Sequence, residues 1–156
     1  MNSILSSVFL GALLTVGSAA IAAESATDPV VGTWTLNVAK SKFSEGHALK
    51  SQTRTYSQSA DGITLNMKTV GADGKETTTQ TTYHLDGKDY PITGRPDFDS
   101  LSGKQISPNT ASFTLKKGGK TVGTTRRTVS KDGKTLTTTD KMPGSTAVDT
   151  GVFDKQ

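Results

Sequence analysis

Residues 61–87, DGITLNMKTVGADGKETTTQTTYHLDG, decide the fold of this chain. They contain three of its four Asp-Gly dipeptides, which begin at positions 61, 73 and 86, and the fourth begins at position 132. Tight hairpin turns need residues at positive φ, which Gly adopts freely and Asp tolerates. The runs between the dipeptides are rich in Thr and other strand-forming residues. The spacing therefore predicts an antiparallel meander of strands joined by tight turns.

Period-two alternation indicates which face of these strands is buried. Ile63, Leu65 and Met67 alternate with polar residues, and so do Phe113 and Leu115. Turn signals and alternation together predict ten strands, at about 31–38, 51–58, 63–71, 75–85, 88–92, 100–107, 110–117, 120–130, 134–140 and 146–154.

Composition favours a barrel over a solid sandwich. After the first 23 residues only roughly a quarter of the chain is apolar, while Thr supplies about one residue in six of the whole sequence. A thin apolar set spread over many short strands suits an interior that is partly polar. We therefore predict an all-β fold, an antiparallel up-and-down β-barrel of eight to ten strands.

Helix and irregular structure are expected in few places. No segment has a sustained helical period, so helix is expected only as a turn or two near residues 40–43. The longer connections at residues 41–50 and 93–99, together with residues 141–145, are the places where a barrel would carry a mouth flap or lid.

The first 23 residues have the layout of a signal peptide. They contain no charged side chain, and an apolar core leads into a run of small residues at 18–23. A membrane anchor is the alternative, but the apolar core is too short to span a bilayer. The chain has no Cys, so neither a disulfide nor a lipid on an N-terminal Cys can form. The sequence predicts a signal peptide at 1–23, a single domain at 24–156, no stable membrane anchor, and a location in the periplasm or outside the cell.

Charge and motifs exclude several classes of function. The net charge is +4, but the basic residues are scattered among acidic ones, so we expect no nucleic-acid binding. His47 and His84 lack the spacing of zinc ligands, and no nucleophile elbow or phosphate loop occurs. Asp97 and Asp99 fit a turn better than a calcium loop. We expect no enzyme activity, no cofactor and no metal.

The two ends of the mature chain carry a family resemblance. Gly32-Thr33-Trp34 resembles the Gly-X-Trp signature at the first strand of the lipocalin and wider calycin barrels. Residues 36–43 and 152–155 are similar to the opening and closing strands of the fatty-acid-binding branch, although the helix pair of that branch is absent. The chain also resembles small secreted bacterial proteins with a lipocalin-like domain. The resemblance implies that Gly32 and Trp34 are structural, at the barrel base, and that the last strand pairs with the first.

Candidate ligand contacts are basic and aromatic residues on predicted strands. If Val122 points inward, strict alternation directs Arg126 inward as well, where a cation can receive an acidic group. The resemblance implies the same role for a basic residue on a late strand. Arg54 shares a face with Tyr56 and is a second candidate. The other candidate wall residues are Tyr56, Tyr83, Tyr90, Met67 and Phe113. The alternatives are that the arginines lie on the surface and that the aromatic residues only fill the barrel.

Two functions are favoured at the level of sequence, and a third, an enzyme on the same barrel, would need His84 buried beside a carboxylate and a hydroxyl that face one cavity. The first is capture of a small amphipathic or acidic molecule inside the barrel. The second is a protein-binding module, such as an inhibitor or an envelope-stress factor, which acts through its loops. A cavity of several hundred Å³ favours capture. A filled interior with an exposed apolar patch around Phe43 or Phe98 favours a protein partner.

Overall fold

The structure is a computed structural model that describes residues 26–141 and 146–156. The predicted signal peptide at 1–23 lies outside the described residues. The strands are β1 (Gly32–Leu36), β2 (Leu49–Ser59), β3 (Gly62–Gly71), β4 (Glu76–Tyr83), β5 (Asp86–Thr93), β6 (Ser100–Ser107), β7 (Thr110–Lys117), β8 (Lys120–Val129), β9 (Thr135–Lys141) and β10 (Asp149–Lys155). A single 3₁₀ turn at Val38–Lys40 is the only helical element in these ranges, close to its predicted position. None of the described residues forms a helix of the length and hydropathy needed to cross a membrane.

The ten strands form one closed antiparallel barrel. Each strand pairs with the next in the chain, and β1 closes the circle by pairing with β10 at Trp34 and Lys155. The prediction of an all-β up-and-down barrel is confirmed, and every predicted strand is present with its ends shifted by a few residues at most. Closure leaves none of the described strands with an unpaired edge.

Asp-Gly pairs shape the turns through one repeated contact. Asp73, Asp86 and Asp132 each accept the N–H of the lysine two positions later through Oδ1, at 2.9, 3.0 and 3.1 Å. The third pair also lies where the chain reverses, because Gln80 pairs with Thr93 and Thr81 with Ile92, which centres the β4–β5 register on Asp86-Gly87. Pairing with β6 makes Asp86 the first residue of β5. There the positive φ of Gly87 accommodates a register shift between Asp86 and Asp89.

The barrel has two distinct ends. The hairpin turns at residues 60–61, 84–85 and 108–109 lie at the end that we call the base. The opposite end, which we call the mouth, carries the connections at 37–48 and 94–99 together with the shorter turns after β3 and β7. Both longer connections predicted as flaps therefore lie at the mouth, although residues 142–145 are outside the described ranges.

Trp34 is fully buried toward the base. Its Nε1 donates to the carbonyl oxygen of Val30 at 2.7 Å, which fixes the segment that precedes β1. The Lys155 Nζ lies 5.1 Å from the centre of the indole ring. Gly32, at a φ of 132°, leaves room for this lysine, since a Cβ there would be 3.0 Å from its Cε. Trp34 is thus held by contacts from both the first and the last strand.

Candidate ligand-binding site

A cavity of about 880 Å³ opens at the mouth and extends into the barrel. Its walls combine apolar and polar side chains. The larger apolar ones are Phe43, Leu49, Leu65, Met67, Ile92, Phe98, Leu101, Phe113, Leu115, Val122 and Phe153. Wall residues come from nine of the ten strands, so the cavity is a product of barrel closure and not of a single loop.

Arg54 is a cation on the cavity wall without a counter-charge. It lies on β2, and its Nε donates to Gln52 Oε1 at 2.7 Å. Gln52 is held in turn, because its Nε2 donates to Thr69 Oγ1 at 2.8 Å. No carboxylate of the described residues lies within ion-pair distance of Arg54. Its guanidinium group is therefore positioned by neutral neighbours and keeps its charge available to a ligand.

Phe153 supports the Arg54 guanidinium from β10. The Arg54 Cζ lies 4.5 Å from the centre of the phenyl ring, within the range of a cation–π contact. Gly151 creates the space for that ring, because a Cβ at position 151 would lie only 2.8 Å from Phe153 Cε2 and 3.0 Å from Thr138 Oγ1. The absence of a side chain at Gly151 thus sets the position of Phe153, and through it that of Arg54.

Arg127 lines the deep part of the cavity, but its positive charge is already paired with a carboxylate. Its Nη2 donates to Asp28 Oδ2 at 2.7 Å, and its Nη1 donates to the Tyr83 hydroxyl at 2.8 Å. Burial raises the pKa of Tyr83 well above its ordinary value of 10.0, so this hydroxyl stays protonated. The guanidinium group also lies 5.7 Å from the Tyr56 ring and 5.6 Å from the Phe113 ring. These contacts make Arg127 part of the cavity floor.

The expectation that Arg126 points inward is wrong. Arg126 is exposed on the outer face, and Arg127 takes the inner position. The cause is a β-bulge: Leu115 pairs with Gly123 and Lys116 pairs with Thr121, which leaves Val122 as an extra residue. Val122 does line the cavity, but the extra residue shifts the alternation of the rest of β8 by one position.

Most of the other predicted wall residues lie together in the cavity. Arg54, Tyr56, Tyr83, Met67 and Phe113 all line it. Two residues do not belong to that wall. Tyr90 is half-buried nearer the base, where its hydroxyl donates to Asp86 Oδ2 at 3.0 Å. Trp34, which is expected to be structural at the barrel base, likewise lies outside the cavity lining.

Phe98 is a wall residue that sequence reasoning did not identify. Only the protein-binding alternative considers Phe98, as part of an exposed loop patch, whereas its side chain is only 5% exposed and lies against the Arg95 guanidinium. The loop is tied down by Asp99, which accepts the N–H of Gly118 at 3.0 Å. A single aromatic residue in a polar loop is the one sequence signal that could have indicated this inward position.

The flap formed by the connection at 37–48 is held by a cluster of Ser44, His47 and Asp149. The Ser44 N–H and hydroxyl both donate to Asp149 Oδ1 at 2.6 Å, and the His47 Nδ1 lies 2.7 Å from Asp149 Oδ2. A proton relay would use both nitrogens of the imidazole, one toward the carboxylate and the other toward the hydroxyl. Here the Ser44 hydroxyl lies on the same nitrogen, at 3.0 Å. The cluster therefore acts as a latch for the flap.

The fold and the cavity define the chain as a ten-stranded antiparallel barrel with an interior cavity that is open at one end. Within the described ranges no group of three or more His, Asp or Glu side chains is placed to hold a metal ion. No family model matches the chain, and no curated protein matches it significantly. The barrel class thus rests on the structure alone.

Proposed function

We propose that this protein is an exported carrier, a lipocalin-like member of the calycin barrels, that captures a small amphipathic acid inside its barrel. The observation that carries the proposal is Arg54, a cation on the cavity wall with no acidic partner among the described residues. A ligand carboxylate can accept two parallel hydrogen bonds from such a guanidinium group. The same contact would compensate the positive charge within the barrel.

The apolar part of the wall supports an amphipathic ligand over a small inorganic anion. Leu65, Met67, Leu101, Phe113 and Leu115 all contribute surface to the cavity. Burying an apolar ligand body against them stabilises the complex by about 25 cal/mol for each Å² removed from water. A cavity of about 880 Å³ lies within the usual size range of pockets for small organic ligands.

The alternative, a module that binds a protein through its loops, has less support. It requires a filled interior and an apolar patch at Phe43 or Phe98, whereas the interior is open and Phe98 is buried. The exposed large apolar residues of the described ranges are Val38 in the 3₁₀ turn, Ile106 on β6 and Val148 just before β10. Isolated residues of this kind are normal on a soluble surface.

A matched pair of arginine variants tests the proposal. Arg54→Gln removes the cavity cation, and Arg126→Gln makes the same charge change on the outer face of the barrel. Isothermal titration with dodecanoate should show binding to the wild type and to Arg126→Gln with similar affinity. Arg54→Gln should lower the affinity about tenfold or more, because a charge-assisted hydrogen bond is lost. The affinity for dodecanol, which has the same alkyl chain without the charge, should be the same in both variants as in the wild type.

Two results would overturn the proposal. One is that neither dodecanoate nor an amphipathic ring acid binds delipidated wild-type protein in titration and thermal-shift measurements, since any ligand of the native state raises its stability. The other is equal loss of affinity in the two arginine variants, which would indicate a general effect of charge. Native mass spectrometry of protein from its own host should detect a retained acid as added mass.

A further inference from the structure

The two halves of the barrel wall differ in chemistry. Strands β3 to β7 form one continuous arc, and their cavity-lining side chains are mainly apolar. They are Leu65, Met67, Ile92, Leu101, Phe113 and Leu115, with Thr69, Tyr83 and Lys117 as the polar members. Of the polar members, Tyr83 is occupied by its contact with Arg127, and Lys117 lies at the mouth end of its strand. This arc, which we call the apolar wall, offers a ligand few hydrogen bonds.

The other half, from β8 through β10 and β1 to β2, is mainly polar, and we call it the polar wall. Its cavity-lining polar residues are Gln52, Arg54, Tyr56, Thr125, Arg127, Thr138, Asp140 and Asp149. Thr125 forms no side-chain hydrogen bond with another described residue, although it lies directly across from Asp140 in the strand pairing. The only side-chain contact of Asp140 in the described ranges is a weak one from Thr138, at 3.5 Å. Hydrogen-bonding groups on this wall are therefore open to the cavity.

The two walls face each other across the barrel. In the closed order of ten strands, β7 lies opposite β2 and β5 lies opposite β10. Leu115 on β7 thus lies on the far side of the cavity from Arg54 on β2, and Met67 on β3 lies across from Thr125 on β8, because these two strands are also five places apart in the closed order. The division of polar and apolar groups therefore runs across the cavity, from one side to the other, and not only from its floor to its mouth.

This division distinguishes between two shapes of acidic ligand. A flexible alkyl chain is apolar on all sides, so it would cover Thr125 and Asp140 without offering them a hydrogen bond. Burying a polar group without a hydrogen-bond partner weakens binding. A rigid ring system with an apolar face and a hydroxylated face satisfies both walls at once. It loses little conformational freedom on binding because it is already rigid.

We propose that the ligand is a hydroxylated polycyclic acid, with its carboxylate on Arg54, its hydroxyl groups toward Thr125 and Asp140, and its bare face against the apolar wall. This inference rests on the proposed function, because both require the Arg54 anchor. It adds a ligand class and assigns Thr125 and Asp140 as residues that select it.

Two bile acids serve as probes because they share a ring system and a carboxylate. Cholate carries three hydroxyl groups on one face, and lithocholate carries a single hydroxyl. In isothermal titration below the concentration of micelle formation, cholate should bind the wild type about tenfold more tightly than lithocholate. Thr125→Val, which keeps the size of the side chain but removes its hydroxyl, should reduce that preference about threefold or more. Thr124→Val, at the exposed neighbouring position on β8, is the matched control and should leave the preference unchanged.

The outcomes separate this inference from the proposed function. Lithocholate or dodecanoate binding as tightly as cholate would overturn the ring-acid inference, as would a preference for cholate that survives Thr125→Val. Either result leaves the function in place if Arg54→Gln still weakens the binding of every acid. Loss of acid binding altogether, or equal behaviour of the Arg54→Gln and Arg126→Gln variants, would overturn both.

Discussion

Arg127 and Asp28 form a buried ion pair, in which Nη2 donates to Oδ2 at 2.7 Å and the side chains are only 4% and 9% exposed. Asp28 belongs to the segment before β1, and Arg127 belongs to β8, so the pair connects that segment to the cavity floor. Removing one partner of a buried pair leaves the other charge uncompensated, which costs far more than an exposed pair contributes.

Asp28→Ala should therefore lower the free energy of unfolding by about 3 kcal/mol, measured by urea denaturation with circular dichroism. Asp89→Ala is the control, because Asp89 pairs with Lys116 at 2.7 Å while its own side chain is 48% exposed. That change should cost less than about 1 kcal/mol. Similar losses in the two variants would contradict the structural role assigned to Asp28.

Trp34→Phe should destabilise the barrel without changing ligand affinity. Phe cannot donate to the Val30 carbonyl, which Trp34 reaches at 2.7 Å, and an unmet buried acceptor costs about 1–3 kcal/mol. Since Trp34 does not line the cavity, dodecanoate should bind the variant as it binds the wild type. Denaturation and titration of the same preparation test both statements. A large loss of affinity at unchanged stability would place Trp34 in the site.

Gly94→Ala should be more damaging than Gly133→Ala, although both glycines have positive φ, 80° and 69°. A Cβ at Gly94 would lie within 1.7 Å of the Thr78 carbonyl oxygen, whereas nothing lies within 4 Å at Gly133. Gly133→Ala should cost only the left-handed backbone penalty, about 1–2 kcal/mol. Gly94→Ala adds a backbone clash and should exceed that loss in thermal denaturation. Equal losses would show that the 94–99 flap shifts to relieve the clash.

Acid should release the flap held by Asp149. Burial raises the pKa of the Asp149 carboxyl, but hydrogen bonds from the Ser44 hydroxyl and N–H and from His47 outweigh that effect and lower the pKa below its ordinary value of 3.8. A lowered folded pKa means that the stabilisation is complete above the unfolded value and is lost as pH falls through the folded value. The protection factors of the flap amides, which are exchange rates corrected for the pH dependence of intrinsic exchange, should therefore fall as pH falls below about 3.8.

Ser44→Ala tests the cause of that pKa shift. Without the hydroxyl donor, the carboxyl pKa of Asp149, measured by carbon NMR, should rise toward its ordinary value. Ser57→Ala, on the exposed face of β2, is the control and should leave the titration unchanged. An Asp149 midpoint that is identical in all three proteins would mean that Ser44 does not hold the flap.

The fold could be predicted because its determinants are local. Asp-Gly turns and period-two alternation act over a few residues, and both are visible in residues 61–87. The register shift in β5 between Asp86 and Asp89 could not be predicted, because it depends on pairing with β6. A register shift is determined by the partner strand and not by the sequence of the strand itself.

The site could be predicted only where alternation continues without interruption. Arg54 and Tyr56 on β2 and Met67 on β3 lie where the pattern places them. Arg126 does not, because the bulge at Val122 reverses the two faces for the rest of β8. Phe98 lies in the 94–99 loop, where no periodicity indicates the direction of a side chain. Its position in the cavity wall could therefore be seen only in the tertiary structure.

The pairing of β1 with β10 imposes an order on the folding of the barrel. On the side of β1 that faces β10, Trp34 has no partner until Lys155 pairs with it, because these are the first and the last strand of the barrel. Until β10 joins, the first nine strands lack the partner that closes the circle and can form only an open sheet. The cavity and its Arg54 anchor, which stacks on Phe153, therefore come into existence only when the final strand arrives.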